Sequence, residues 1–366
     1  MLNNEISAVV EHGGQFFALA KLRGFSSQQA LEQIIDLSAS INPNQPRMTQ
    51  DLSLSLLRHY PPQPADNLVN ALINKFQLPS ESIRLTNGIS AAILSIFAHL
   101  RPDNTVLYTP LYGEYQRAAE CYSRNLIEIK RDIQNPDNQA WLLEKVPANS
   151  LLVFVNPATP DGTYYSPMQL APLLKQAREQ NCWLLMDESF LPFLGFSENL
   201  SLRPLLANWP KLIILQSLTK YYACPGLRVG AVFAHRDFLN HWPQAAWPIS
   251  SLDSDLLTQA LQDNQFDQDN QAWLSGAQPD LIDRLNTSPL IKHCYPTQTN
   301  FVLVQTRRPA KQITQALQNA NILLRPCDSF GLGDDHIRIA VQTSATHQRL
   351  INALNNLTKE PNHAVI

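Results

Sequence analysis

The chain has 366 residues, of which 44% are hydrophobic, and this composition excludes an intrinsically disordered protein. Its 28 Lys and Arg residues stand against 31 Asp and Glu residues, which gives a formal net charge of −3 at pH 7. Proteins that work on nucleic acid or on anionic membranes need a basic surface, so we expect neither partner. The length predicts about two domains.

The cysteines and the N-terminus indicate the compartment. Five cysteines, at positions 121, 182, 224, 294 and 327, form no Cys-x-x-Cys pair, which predicts a reducing environment and no structural metal. The first residues, MLNNEISAVVEHGG, lack a basic segment followed by an apolar one, and no apolar run approaches the ~18 residues that span a bilayer. We therefore expect a cytoplasmic protein.

Taken in chain order, the sequence changes character three times. Residues 1–50 open with a helical pattern and continue into IIDLSASINPNQP, which Asn and Pro break. Short apolar runs then alternate with amphipathic patterns up to about residue 235, before a stretch of helix and connection. NFVLVQT, ILLRP and HIRIAVQT follow, separated by helical patterns. The pattern predicts a large α/β domain over 50–245, a connecting helical segment over 246–289 and a small α+β domain from 1–49 and 290–366.

The large domain is predicted to contain a mostly parallel sheet. Its candidate strands are apolar runs, and helical patterns at 89–100 and 168–180 lie between some of them. Buried strands that alternate with helices are typical of a parallel sheet covered on both faces. Ligands bind at the carboxyl ends of such strands, so the residues that follow each strand form the candidate site. The predicted strands are 105–108, 126–129, 151–155, 183–186, 212–215 and 229–233.

One strand end carries hydroxyls, an amine and a guanidinium. Ser217, Thr219 and Lys220 follow the strand 212–215, and Arg228 lies eight positions beyond the lysine. Such donors can hold a phosphate while the lysine reaches a carbonyl group. A lysine after a strand is more often a solvated charge, so Lys220 alone would not decide the chemistry.

Polar clusters at three further strand ends make a catalytic role of Lys220 the better interpretation. Asp187 ends the strand 183–186, where a buried carboxylate needs a cation such as a protonated pyridine nitrogen, unless it is a helix cap or a surface acid. NGIS at 87–90 opens a predicted helix whose N–H groups suit a phosphate, although the same motif is a common turn. NPATPDG at 156–162 can present a polar side chain to a ring substituent. Together the four clusters predict a site for pyridoxal phosphate (PLP).

Nearly the whole chain resembles the PLP-dependent enzymes that include aspartate and histidinol-phosphate aminotransferases. SLTKYYACPGLRVG resembles their Ser-x-Thr-Lys segment with its downstream arginine. The resemblance implies a large domain with a mostly parallel seven-stranded sheet, and Lys220 as the lysine that binds the cofactor aldehyde. It also implies that Asp187 pairs with the pyridine nitrogen and that Tyr112 stacks on the ring. The implied contacts to the cofactor phosphate come from Ile89, Ser90, Ser217, Thr219 and Arg228, and from Tyr60 of a second subunit, so a homodimer is expected.

Within that class, four segments resemble the L-threonine O-3-phosphate decarboxylases of cobalamin synthesis. They are EHGGQ followed by SASINP, then DESFLPFL with Phe190 where aminotransferases usually carry Tyr, LTKYYACPGLRVG, and ILLRPCDSFGLGDDHIRIA. By this resemblance Arg338 binds the substrate α-carboxylate, and His12 and Arg325 bind the substrate phosphate. Asn42, in SASINP, is a further substrate-binding candidate. The substrate expected is a phosphorylated amino acid.

Two positions depart from the family pattern. Asn156 is retained, but Thr159 occupies the position of the asparagine that donates to the phenolic oxygen of the cofactor. A hydroxyl still donates, over a shorter reach. The acidic residue usual in the phosphate-loop helix is also replaced, with Ala91 and Ala92 in that region.

The activity expected from the resemblance is decarboxylation of L-threonine O-3-phosphate to 1-amino-2-propanol O-phosphate. An aminotransferase of the histidinol-phosphate type is the alternative, because the same lysine serves both reactions and substrate orientation decides between them. A non-catalytic PLP-binding sensor is a third hypothesis, although the chain has neither the spare length nor the basic charge of an added DNA-binding domain.

Overall fold

The computed structural model describes residues 13–48, 58–62 and 65–359. They form two compact units, one from residues 44–48, 58–62, 65–159 and 163–271, and the other from residues 13–43, 160–162 and 272–359. His12 lies outside the described residues. The domain boundaries and domain functions expected from the sequence stay predictions.

The first unit contains a seven-stranded sheet with helices. Its strands are β2 Ile83–Thr86, β3 Asn104–Thr109, β4 Asn125–Lys130, β5 Leu151–Val155, β6 Trp183–Asp187, β7 Leu212–Ser217 and β8 Gly230–Ala234. Its helices are α3 Asp66–Phe76, α4 Gly88–Leu100, α5 Gly113–Tyr122, α6 Ala171–Glu179, α7 Arg236–His241 and α8 Ser251–Gln262, and α9 Asn264–Asn286 begins in it. The six predicted strands are all present, whereas β2 was not predicted from its sequence IRLT.

The strand order is β2-β8-β7-β6-β5-β3-β4, and β8 runs antiparallel to both of its neighbours while the other pairings are parallel. All residues of β5, β7 and β8 are buried, as expected for central strands of a sheet covered on both faces. The α/β fold with a mostly parallel sheet is confirmed. The carboxyl ends of β5, β6 and β7 lie in register, since Val155 pairs with Asp187 and Asp187 pairs with Leu215.

Local chemistry sets the ends of the helices. Helix α4 begins at Gly88, which has φ of 71°, a left-handed conformation that glycine adopts without strain. Helix α6 begins at Ala171, three residues later than predicted, because Ser166 and Gln169 form a turn before it: the Ser166 hydroxyl accepts from the Gln169 N–H at 3.3 Å.

The second unit contains two small sheets. Helices α1 Phe16–Arg23 and α2 Ser27–Gln33 come first, followed by β1 Ile35–Asp36, which pairs in parallel with β11 Ile322–Leu323. The second sheet is antiparallel in the order β12-β13-β10-β9, with strands β9 Ile291–Cys294, β10 Phe301–Thr306, β12 Arg325–Pro326 and β13 His336–Ala340. Helices α10 Ala310–Asn319 and α11 Ser344–Lys359 also belong to this unit.

Within residues 13–48, 58–62 and 65–359, no helix is long and apolar enough to cross a membrane. No group of three or more His, Cys, Asp and Glu side chains in the same residues is placed to hold a metal ion.

A fully buried histidine joins helices α9 and α11. His347 Nδ1 lies 2.8 Å from Asp280 Oδ2, and its Nε2 accepts from the Gln342 N–H at 2.9 Å. The Gln342 side chain in turn donates to the Ile41 carbonyl at 3.1 Å. Burial lowers the pKa of His347, with the Asp280 carboxylate opposing that shift and Arg284 adding to it. The ring is therefore neutral in the folded protein at neutral pH, with Nδ1 as donor and Nε2 as acceptor.

We predict that His347→Leu lowers the free energy of unfolding by about 2–4 kcal/mol at pH 7.5, because the Gln342 N–H loses its acceptor and Asp280 loses a donor. The parent also loses stability as the pH falls below the ordinary histidine value of 6.5, since the unfolded chain then binds a proton that the folded His347 does not. The difference between parent and variant should therefore shrink from pH 7.5 to pH 5.5.

Urea unfolding followed by tryptophan fluorescence at both pH values measures the effect. His241→Leu is the matched control, because His241 is exposed and should leave the unfolding midpoint nearly unchanged. A pH-independent difference between the parent and His347→Leu would contradict the neutral buried state.

Candidate active site

Asp187, at the carboxyl end of β6, is a buried carboxylate. It is 3% exposed, and its two oxygens accept different hydrogen bonds: Oδ2 from the Tyr115 hydroxyl at 2.8 Å and Oδ1 from the Ser189 N–H at 2.9 Å. Burial and then the Asp187 charge raise the pKa of Tyr115 well above its ordinary value, so this hydroxyl keeps its proton and donates it. The carboxylate is thus fixed in orientation, and its negative charge favours a cation beside it.

Lys220 belongs to the same neighbourhood as Asp187. The Ser189 hydroxyl accepts from the Ser217 N–H at 3.0 Å, and this bond ties the turn after β6 to the end of β7. The half-buried Lys220 follows three residues later, with its Nζ 4.5 Å from the ring centroid of Phe190, the residue after Ser189. An amine and a fixed carboxylate therefore lie at the ends of adjacent parallel strands, as predicted.

The groups predicted to bind the cofactor phosphate converge at the start of α4. A Cβ on Gly88 would lie 2.9 Å from Arg228 Nη2, and a Cβ on Gly230 would lie 2.8 Å from the Ile89 backbone nitrogen. Gly230 is the register partner of both Ser217 and Thr86, so the end of β7 and the start of α4 meet at this glycine. Only glycine permits that approach, because any side chain would displace the first turn of α4.

Hydroxyls surround the same position. Ser217 Oγ lies 3.0 Å from Thr219 Oγ1, and Ser90 Oγ lies 3.3 Å from the Tyr112 hydroxyl. A helix N-terminus, a guanidinium and these hydroxyls make a donor set that suits a phosphate dianion. The predicted phosphate contacts Ile89, Ser90, Ser217, Thr219 and Arg228 are thus brought together, although their roles stay predictions.

For three predicted cofactor contacts, the structure shows the position of the residue but not a contact to the cofactor. The Asn156 side chain binds backbone, donating to the Tyr165 carbonyl and accepting from the Tyr165 N–H, both at 2.8 Å. It thereby fixes the loop that carries the buried Thr159. Tyr60 is 78% exposed and stacks on Trp247 with ring centroids 4.3 Å apart. Direct cofactor contacts by Asn156, Thr159 and Tyr60 stay predictions.

The second unit contains the described substrate candidates. Arg325 and Arg338 are direct register partners on β12 and β13, and their guanidinium carbons lie 5.6 and 5.9 Å from the ring centroid of Phe330. Arg325 donates to Ser329 Oγ at 2.8 Å, and Arg338 donates to the Ser38 carbonyl at 3.1 Å. Asn42 is buried in the same unit. Two cations are therefore held side by side.

Tyr115 and Ser189 were not predicted as site residues. Tyr115 lies in the first turn of α5, three residues after the N-cap residue Tyr112, and the centroids of the two rings are 6.3 Å apart. That spacing was a usable signal. Ser189 offered none, because its role depends on the register between β6 and β7.

The chain matches the family model for aminotransferase class I and II over residues 32–354. It belongs to this family. The family is PLP-dependent, so the cofactor prediction is confirmed, and the chain is a PLP-dependent enzyme of this class. The buried, doubly hydrogen-bonded Asp187, the neighbouring Lys220 amine and the donors around Gly88 fit the pyridine nitrogen, aldehyde and phosphate of that cofactor.

Individual proteins of two activities are similar to the chain. It is 28% identical to the threonine-phosphate decarboxylase of Salmonella typhimurium over 94% of this chain and 96% of that protein. It is 26% identical to a histidinol-phosphate aminotransferase of Legionella pneumophila over 80% of this chain and 81% of that protein. The structure of L-threonine-O-3-phosphate decarboxylase from Porphyromonas gingivalis superposes with a TM-score of 0.71 at 24% identity, covering 84% and 93% of the two chains.

We predict that Tyr115→Phe weakens PLP binding by about tenfold, because Asp187 loses a charge-assisted hydrogen bond while the ring volume is kept. The dissociation constant is measured by fluorescence titration of the apoenzyme with PLP. Circular dichroism should show an unchanged fold.

Tyr108→Phe is the matched control. Tyr108 is equally buried in the same unit, but its hydroxyl has no hydrogen-bond partner within the described residues, so its removal should leave PLP affinity unchanged. Equal affinities for Tyr115→Phe and the parent would show that the Tyr115 bond does not orient Asp187 for the cofactor.

Proposed function

We propose that the enzyme decarboxylates L-threonine O-3-phosphate, releasing carbon dioxide and 1-amino-2-propanol O-phosphate, as a step of cobalamin synthesis. The observation that carries this proposal is the side-by-side placement of Arg325 and Arg338 on β12 and β13. Similarity to the Salmonella typhimurium decarboxylase over nearly the full length of both proteins supports it.

The two arginines favour a ligand with two anionic groups. Like charges directly opposite each other on neighbouring strands repel, and a bound anion relieves that repulsion. Burial lowers the pKa of Arg338 to about 10, and the nearby Arg325 acts in the same direction, yet the guanidinium still carries its charge at pH 7. L-Threonine O-3-phosphate has a carboxylate for Arg338 and a phosphate for Arg325.

The proposed roles follow from what each side chain can hold. Arg338 binds the α-carboxylate through two parallel N–H donors, and Arg325 binds the substrate phosphate, with His12 and Asn42 as its proposed partners. Bound PLP supplies the sink for the electron pair released when a bond to Cα breaks. The Lys220 amine delivers a proton to Cα after carbon dioxide has left, and Asp187 holds the proton on the ring nitrogen.

An aminotransferase of the histidinol-phosphate type is the alternative, and similarity to the Legionella pneumophila aminotransferase supports it. Histidinol phosphate has a phosphate but no carboxylate, so it would neutralise one arginine of the pair. We also propose a homodimer, in which the exposed Tyr60 reaches the cofactor phosphate of a second copy.

The activity is tested by supplying L-threonine O-3-phosphate to the PLP-loaded enzyme without any keto acid. We expect stoichiometric release of carbon dioxide and 1-amino-2-propanol O-phosphate. Carbonate trapping measures the gas, and mass spectrometry measures the amine product. Lys220→Ala should abolish the release while retaining the fold. Amino transfer to 2-oxoglutarate without carbon dioxide would favour the aminotransferase, and no turnover with any amino acid would favour a sensor.

We predict that Arg325→Gln and Arg338→Gln separate the two anion contacts. Arg325→Gln should raise KM for L-threonine O-3-phosphate by about 10- to 100-fold and leave the weak reaction of L-threonine almost unchanged, because only the phosphate contact is lost. Arg338→Gln should impair both substrates, since both have the α-carboxylate. Steady-state kinetics with the two substrates measure this, and equal losses for both substrates in Arg325→Gln would contradict the assignment.

A further inference from the structure

The first unit contains a cavity of about 570 Å³ that has no part in the site described above. We call it the Arg203 cavity; its lining includes Phe76 and Phe196 and five charged residues, the cations Lys75, Arg203 and Arg236 and the acids Glu81 and Glu198. Ser82, before β2, and Ala234, at the end of β8, also line it. Ala234 pairs with Ile213 near the start of β7, whereas Gly230 pairs with Ser217 at its end, so the cavity opens at the opposite end of the sheet from the phosphate-binding groups. Its volume suits a small organic molecule.

Arg203 is a buried cation with unused donors. Its side chain is 7% exposed, and Nη1 lies 2.8 Å from Gln216 Oε1 and 3.1 Å from Glu188 Oε2. Within the described residues, Nε and Nη2 have no hydrogen-bond acceptor. Neither nitrogen is among the fully buried polar atoms that lack a partner, so both keep some exposure. These two N–H groups therefore remain in reach of a ligand in the cavity, where they can bind a carboxylate.

The wall of the cavity is aromatic. The rings of Phe76 and Phe196 have centroids 6.0 Å apart, and each ring carries a cation: the Arg203 guanidinium carbon lies 4.2 Å from the Phe76 centroid, and Lys75 Nζ lies 4.4 Å from the Phe196 centroid. Aromatic side chains that line a cavity can pack against a flat apolar ring. Together with the free N–H groups of Arg203, they select a planar ring with one carboxylate.

Both cations are linked to residues beside the active site. Arg203 pairs with Glu188, the residue after Asp187, and the same carboxylate accepts from the Ser201 hydroxyl and the Leu202 N–H at 2.6 and 3.0 Å. Burial raises the pKa of Glu188, and the Arg203 charge opposes that shift. The contact to Arg203 therefore favours the ionised form of a buried acid directly next to Asp187.

The second link ends beside Lys220. Lys75 forms an ion pair with Asp267, and the other oxygen of Asp267 accepts from the Tyr221 hydroxyl at 3.0 Å. Tyr221 is buried and follows Lys220 directly. A change at the two cavity cations therefore reaches the neighbours of both predicted catalytic residues.

We propose that the Arg203 cavity binds a small aromatic carboxylate and that this binding weakens PLP binding. A carboxylate bound at Nε and Nη2 shares the guanidinium charge that attracts Glu188 at Nη1, so it weakens the ion pair that holds the turn after Asp187. Coupling between two sites is reciprocal, so PLP weakens the aromatic carboxylate by the same factor. The inference does not depend on which reaction the enzyme catalyses.

The probe is 4-fluorobenzoate. Fluorine NMR measures its binding to the PLP-loaded enzyme and to the apoenzyme. We expect saturable binding with a dissociation constant on the order of 1 mM, as for a ligand of this size. Saturating probe should raise the dissociation constant of PLP for the apoenzyme by at least about fivefold.

Two matched variants locate the site. Ala207→Trp fills the cavity and should weaken the probe by more than about tenfold, with PLP content and turnover as in the parent. Ala140→Trp places the same side chain on another exposed 3₁₀ turn outside the cavity and should bind the probe as the parent does.

A third variant, Arg338→Gln, tests whether the probe binds at the predicted site of the substrate α-carboxylate instead of in the cavity. Probe binding that survives Ala207→Trp but is lost in Arg338→Gln would overturn the proposal, as would the absence of saturable binding. Binding that leaves PLP affinity unchanged would overturn the coupling.

Discussion

The structure depends on how it accommodates the negative charge of Asp187. A carboxylate at 3% exposure has lost nearly all of its water, and isolated ionised groups are costly in that position. The Tyr115 hydroxyl and the Ser189 N–H replace part of the lost hydration. What remains is a strong preference for a cation at the end of β6, which is what a protonated pyridine nitrogen supplies. Ser189 also accepts from Ser217, so the same turn positions the segment that leads to Lys220.

The antiparallel strand β8 gives the site its second half. If β8 ran parallel to β7, its first residue would lie beside the start of β7. It could not then lie between the end of β7 and the start of α4. Because β8 runs the opposite way between β7 and β2, its first residue, Gly230, lies beside Ser217 and Thr86 at once. The absence of a side chain there allows the Ile89 N–H to approach. In a chain with 12 glycines among 366 residues, this position requires one for steric reasons.

Much of this was predictable from the sequence, for a physical reason. Central strands such as LLVFV at 151–155 are apolar throughout because both faces are buried, and their runs predict strands directly. Edge strand β2 contains Arg84 and Thr86 in a run of four residues, so its composition resembles a loop. Residues directly after strands were found because parallel topology brings them to one edge. Tyr115 and Ser189 reach Asp187 through helix packing and strand register, which the local sequence does not specify.

The pairing of Arg325 with Arg338 illustrates the same limit and bears on the choice of reaction. The two arginines are 13 positions apart in the sequence, and their adjacency follows from the register of β12 against β13. Each arginine alone specifies an anion, whereas two at a fixed spacing specify the orientation of a doubly anionic substrate. Which bond to Cα stands perpendicular to the cofactor ring depends on that orientation. A substrate held at one end can rotate between alternatives, but one held at both its carboxylate and its phosphate keeps a single bond in position. The cross-strand pair is therefore the feature on which the proposed choice of reaction rests, since the predicted roles of Lys220 and Asp187 are the same in both reactions.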